Sequence, residues 1–140
     1  MTEFFIAMKS PPTVTAQEHK VRVVRTREGR HVPQFYDPPE LKAVRQRFTA
    51  LLGAKAPSEP LTGAVRLTTK WLYPDRSGRH RDGEYKITKP DTENALKLFK
   101  DCMTAVGFWL DDAQVASEIT EKIWVTTSPS GIYVKVEELP

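Results

Sequence analysis

A chain of 140 residues suits one domain, large enough to bury a real core without staples. Hydrophobic residues at 39% and charged residues at 28% exclude a disordered chain and one dominated by membrane spans. The lone Cys102 excludes an internal disulfide and points to a reducing compartment, while a formal net charge of +3 does not by itself name a partner.

Glu3–Met8 predicts a first strand, stopped by Ser10–Pro12 because proline cannot continue a ladder. The apolar run Phe4–Met8 is too short for the core of a signal peptide or a membrane span, so a cytoplasmic protein is expected. Val21–Arg25 and Arg30–Tyr36 flank Glu28-Gly29 and predict a β-hairpin. Asp37-Pro38-Pro39-Glu40 predicts a helix start, with Asp37 as cap, Pro38 at the first helical position and Glu40 closing a capping box. Leu41, Val44, Phe48, Leu51 and Leu52 then recur at helical spacing up to Gly53, and Ala54–Pro60 reads as a linker.

Val65, Leu67, Thr69, Trp71 and Tyr73 alternate with polar residues and predict a half-buried strand. A second helix is expected from about Asp91 to Ala105. Its apolar stripe is Ala95, Leu98, Phe99, Cys102, Met103 and Val106, which makes Cys102 a core residue. Val115, Ile119, Ile123 and Val125 are expected to share one face of the next strand. After the turn Ser128–Gly131, Ile132, Val134 and Val136 share a face of the last. The fold expected over residues 1–140 is one α/β domain: a mixed sheet, two helices packed on it, and a C-terminal antiparallel hairpin.

Two segments concentrate basic residues. His19–His31 holds Lys20, Arg22, Arg25, Arg27 and Arg30, and Tyr73–Pro90 holds Arg76, Arg79, Arg81, Lys86 and Lys89. Lys and Arg grouped on loops or hairpin arms can follow a phosphate backbone, and they can equally form a solvated mixed-charge surface.

Carboxylates carry the candidate chemistry. Asp91 stands at the start of the second helix, Glu93 and Lys97 share its polar face with Lys100 or Asp101, and Asp111-Asp112 precede the next strand. If Asp91, Glu93 and Asp112 converged, their repulsion would call for a hard divalent cation, and Lys97 could neutralise a phosphate. Each residue also has a plainer role open to it: Asp91 as helix cap, Glu93 and Lys97 as a surface pair, Asp111-Asp112 as a turn, Asn94 as an exposed side chain. No nucleotide-binding glycine loop or zinc-ligand spacing is present, so neither ATP nor Zn²⁺ is expected.

Lys89-Pro90-Asp91-Thr92-Glu93-Asn94, then Lys97, then Gly107-Phe108-Trp109-Leu110-Asp111-Asp112-Ala113-Gln114-Val115, resembles the RusA family of Holliday-junction resolvases. The match is specific between Lys89 and Val115 and loose elsewhere. The resemblance implies a homodimeric, Mg²⁺-dependent endonuclease, with Mn²⁺ as the alternative ion, that resolves four-way DNA junctions by paired nicks in a bacterial or prophage setting. It implies Asp91, Glu93 and Asp112 as metal ligands and catalytic residues with Lys97, and Asn94 and Asp111 in support. Arg76, Arg79, Arg81, Lys86 and Lys89 are then expected to hold the branched DNA, with Trp109, Trp124 and Tyr133 as candidates for the dimer interface. Glu93 departs from the family's usual aspartate, and its extra methylene moves the oxygens outward. The competing expectation is a junction-binding protein with weak or no nuclease activity.

Overall fold

The computed structural model describes residues 1–13, 20–36 and 38–140. Strands β1 (Thr2–Ala7), β2 (Lys20–Arg25) and β3 (His31–Tyr36) precede helix α1 (Pro39–Gly53). Strand β4 (Val65–Pro74), helix α2 (Thr92–Ala105), β5 (Val115–Val125) and β6 (Gly131–Glu138) follow. The four-stranded mixed sheet has the order β1-β6-β4-β5, while β2 and β3 form a separate antiparallel ribbon. The α/β architecture expected from the sequence is the one observed.

Strict alternation makes β4 the central strand. Val65, Leu67, Thr69, Trp71 and Tyr73 are buried, and the residues between them are half-buried. Thr69 tolerates this because its hydroxyl accepts a 3.0 Å hydrogen bond from the Trp71 indole. The strand β4 pairs with β5 in parallel and with β6 antiparallel. Parallel neighbours need a crossover, and α2 supplies it between them.

The predicted hairpin is corrected by this pairing. The strands β5 and β6 do run in opposite directions and follow one another in the chain, but β4 lies between them. On its other side β6 carries β1, whose backbone comes so close to Gly131 (φ 148°) that a Cβ there would lie 2.1 Å from the Ile6 carbonyl oxygen. Only glycine fits that approach.

Both helices pack on the sheet through the predicted stripes. Ala95, Leu98, Phe99, Cys102 and Met103 of α2 and Leu41, Phe48 and Leu52 of α1 are buried. Helix α1 begins one residue later than expected. Pro38 is its extended N-cap (ψ 157°) and Pro39 its first helical residue, with no side-chain cap hydrogen bond, so the Glu40 capping box is not made. The physical reason is the second proline, which forces the residue before it out of the helical region. Asp37 lies outside the described residues.

The outer strand β5 departs from the expected single apolar face. A register shift at Val65/Arg66 opposes Val65 to Val115 but Arg66 to Ser117, so the alternation flips. Val115 packs against the core, whereas Ile119 is 46% exposed. Register then places Glu118, Thr120, Lys122 and Trp124 beside the buried Leu67, Thr69, Trp71 and Tyr73. The inward face of β5 is therefore largely polar, and it looks onto α2.

Candidate active site

A cavity of about 690 Å³ opens between α2 and β5. Thr92, Glu93, Leu96, Lys97, Lys100 and Asp101 of the helix line one side. Glu118 and Thr120 of the strand and Asp112 before it line the other. Four carboxyl groups thus face two lysines, leaving a negative excess that favours a cation. The motif residues Glu93, Lys97 and Asp112 all line this cavity. Asp91 is not on this wall: it is exposed at the N-cap of α2, and its side chain makes no capping hydrogen bond. Helix rise separates Asp91 from Asp101 by about 15 Å, so a helix antiparallel to β5 cannot bring both carboxylates to Asp112. Asn94 is half-buried in the first turn of α2 and is not among the lining residues.

The adjacent aspartates do different work. Asp111 caps the 3₁₀ turn Asp112–Gln114, accepting a 2.9 Å bond from the Ala113 amide. The Gln114 side chain accepts from the Leu110 and Asp111 amides at 2.8 and 3.0 Å and donates to the carbonyls of Leu61 and Gly63 at 2.9 and 3.0 Å. This lacing holds the turn rigidly and leaves Asp112 to face the cavity. There Asp112 accepts from the Thr104 hydroxyl, which in turn accepts a 2.7 Å bond from the Trp109 indole. Trp109, considered from sequence as an interface residue, is buried in the core.

Asp101 stands against Asp112. Burial first, then the hydrogen bond to Asp112 and its charge, raise the Asp101 carboxyl above its ordinary value, while Arg45 and Lys97 pull it down. Across the cavity Lys100 donates to Glu118 at 2.5 Å. Asp101 and Lys100 lie on the helix face that the spacing marks as polar, and both line the cavity. Spacing does not reveal Glu118 and Thr120, because Val115, Ile119 and Ile123 point the alternation along β5 the other way.

The basic segment after β4 is no free arm. Gly83 and Lys86 amides donate to Trp124 and Lys122 carbonyls at 2.8 and 2.9 Å, and the Trp124 amide donates to Glu84 at 2.7 Å, so residues 83–86 cover the outer edge of β5. His80 stacks on Trp124 (4.5 Å, 9°) and contacts Glu84. Arg76, Arg79, Arg81 and Lys89 are exposed, as a phosphate-binding role requires. Lys86 is not: it is 8% exposed, lies over the Trp124 and Tyr73 rings, and donates to the Thr88 hydroxyl at 2.5 Å. A phosphate contact is not open to Lys86 in this position, because the rings and Thr88 already occupy its ammonium. In the β2–β3 ribbon Arg25, Arg27, Arg30 and His31 are exposed; His19 and the side chains of Lys20 and Arg22 lie outside the described part.

Asp82 fastens this segment to the turn after β5, accepting from the amides of Thr126 (2.7 Å), Thr127 (3.2 Å) and Ser128 (3.1 Å) and the Ser128 hydroxyl (2.7 Å). These bonds, the Ser128 hydroxyl foremost, hold its pKa at about 2, below the ordinary 3.8. A depressed carboxyl stabilises the fold above its unfolded pKa and loses that contribution as pH falls through the folded one. Melting temperatures of the parent and Asp82→Asn are therefore expected to differ above about pH 4 and to converge toward pH 2. A gap constant across that range would show that Asp82 ionisation is not what fastens the segment.

Residues 10–137 match the family described as endodeoxyribonuclease RusA. The chain belongs to the RusA family. No protein of curated function matches it. The RusA match covers both walls of the cavity, from the Lys89–Lys97 stretch to Asp112 and β5, and most of the core that positions them. Among the described residues no helix is long and apolar enough to cross a membrane.

The cavity also bears on the metal ion that the family resemblance implies. Its wall offers carboxylate and hydroxyl oxygens with no imidazole or thiol, the donor chemistry of a hard cation. Among the described residues no three His, Cys, Asp or Glu side chains are gathered closely enough to enclose an ion.

Proposed function

We propose that this RusA-family chain is a Mg²⁺-dependent endonuclease that nicks four-way DNA junctions, in pairs, as a homodimer. The observation that carries the reading is the negative cavity that Glu93, Asp101, Asp112 and Glu118 line together with Lys97. Asp112, with Asp101 against it, would hold an ion on one part of the wall, and Glu93 would offer a further oxygen donor nearer the helix start, where Asp91 stands outside the cavity. Bound Mg²⁺ or Mn²⁺ would supply a water of lowered pKa and positive charge opposite the phosphodiester oxygens. Lys97, exposed on the cavity wall, would meet a phosphate; Lys100 is held by Glu118 and balances the strand side of the wall.

Arg76, Arg79, Arg81 and Lys89 are exposed outside this cavity and would follow the branches through their phosphates. A junction has two equivalent strand pairs, so a two-fold dimer would present two such cavities to opposing strands. The test is incubation of the purified full-length chain with a mobile four-way junction, with linear duplex and flap DNA as controls, in Mg²⁺, Mn²⁺ and EDTA. Paired nicks in the junction that require a divalent ion are expected, with the linear duplex intact. A junction bound but uncut across both metal series would instead establish a junction-binding protein.

A further inference from the structure

We propose that Lys122 is a positioning residue: from the inner face of β5 it clamps the segment that delivers Asp91 and Glu93. The proposal rests on the cavity reading above, which gives Glu93 its role. The Lys122 ammonium donates to the carbonyls of Thr88 and Pro90, each at 2.6 Å. These carbonyls bracket Lys89 and lead directly into Asp91, whose own carbonyl receives the Ala95 amide at 3.0 Å and starts the helix. Pro90 has no N–H, so its backbone can be held only through its oxygen. Charge-assisted bonds to two successive anchor points fix both the position and the direction of that stretch.

The surroundings reinforce the clamp. The Lys86 amide donates to the Lys122 carbonyl, and the Lys86 ammonium holds Thr88 by its hydroxyl while seated on Trp124 and Tyr73. Along the same inward face, Glu118 grips Lys100 in the middle of α2. One strand therefore sets the helix at two points, its entrance and its middle. Lys122 spends its donors on backbone, which separates it from the exposed arginines nearby.

The test uses the purified full-length chain and its Lys122→Met and Lys122→Arg variants. In Lys122→Met, amide hydrogen exchange of residues 88–95 is expected to accelerate about tenfold or more while the interior of α2 and strand β4 keep their protection. The Mg²⁺ concentration for half-maximal junction cleavage is expected to rise about tenfold, with junction affinity in EDTA unchanged. Lys122→Arg, which keeps charge and donors, should recover part of both. Unchanged exchange at 88–95 would overturn the proposal, as would loss of protection throughout the fold, which would make Lys122 a general structural residue. Weakened junction binding with a salt dependence shallower by about 1 would make it a phosphate contact instead. If the parent cut no junction in any ion, the cavity reading would fall, and the exchange measurement would still decide the clamp.

Discussion

Asp112→Asn will slow junction nicking by at least about 100-fold, equivalent to ~2.7 kcal/mol of transition-state stabilisation, while junction binding persists. The substitution keeps the side chain's shape. Its carbonyl oxygen can still accept from Thr104, and its amide can donate to Asp101, so the local hydrogen bonds survive. What disappears is a negative charge and a hard oxygen donor on the cavity wall. The melting temperature should stay within about 3 °C of the parent. Asp111→Asn is the matched control, because asparagine can cap the 3₁₀ turn as aspartate does. Its nicking rate should remain within a few-fold of the parent. Equal losses in the two variants, read by single-turnover cleavage, would mean that the turn as a whole matters and that Asp112 has no distinct part.

Much of the fold was legible because its signals are local. The α2 stripe and the β4 alternation are short-period patterns, and every residue of the β4 inward set proved buried. The order of strands was not legible in the same way. A connection of five residues, Thr126 to Ser130, invites a hairpin, yet β5 and β6 embrace β4 from opposite sides. That choice is made by α2, whose packing returns the chain parallel to β4, and no local pattern records it.

The candidate site was legible in part for a related reason. Glu93, Lys97 and Asp112 stand in a motif with fixed spacing, and the cavity gathers all three. Glu118 and Thr120 stand in a strand whose apolar Ile119 suggested the opposite orientation. The register shift beside Val65 reverses the faces, so polar residues look inward onto the cavity and an isoleucine looks out. Lys86 failed for another reason: charge counted along a segment says nothing about which ammonium is seated on aromatic rings.

The largest effect on stability is expected from Phe99→Ala. Phe99 is fully buried on α2, with its ring 5.0 Å from Phe48 of α1 and 5.4 Å from Trp71 of β4, in edge-to-face contact with both. Truncation leaves a cavity where two helices and the sheet meet, and costs about 3–5 kcal/mol. A domain of this size has a total stability of only about 5–15 kcal/mol, so chemical denaturation should show the loss directly. In thermal melting it should appear as a fall of roughly 10 °C or more. Leu110→Ala, at a position 67% exposed, should change little and serves as the surface control. A loss under about 1 kcal/mol would mean that α2 is held mainly by other contacts. The expected result ties core to chemistry: the helix face opposite Phe99 carries Glu93 and Lys97, so heat should disable the cavity as it loosens the ring cluster.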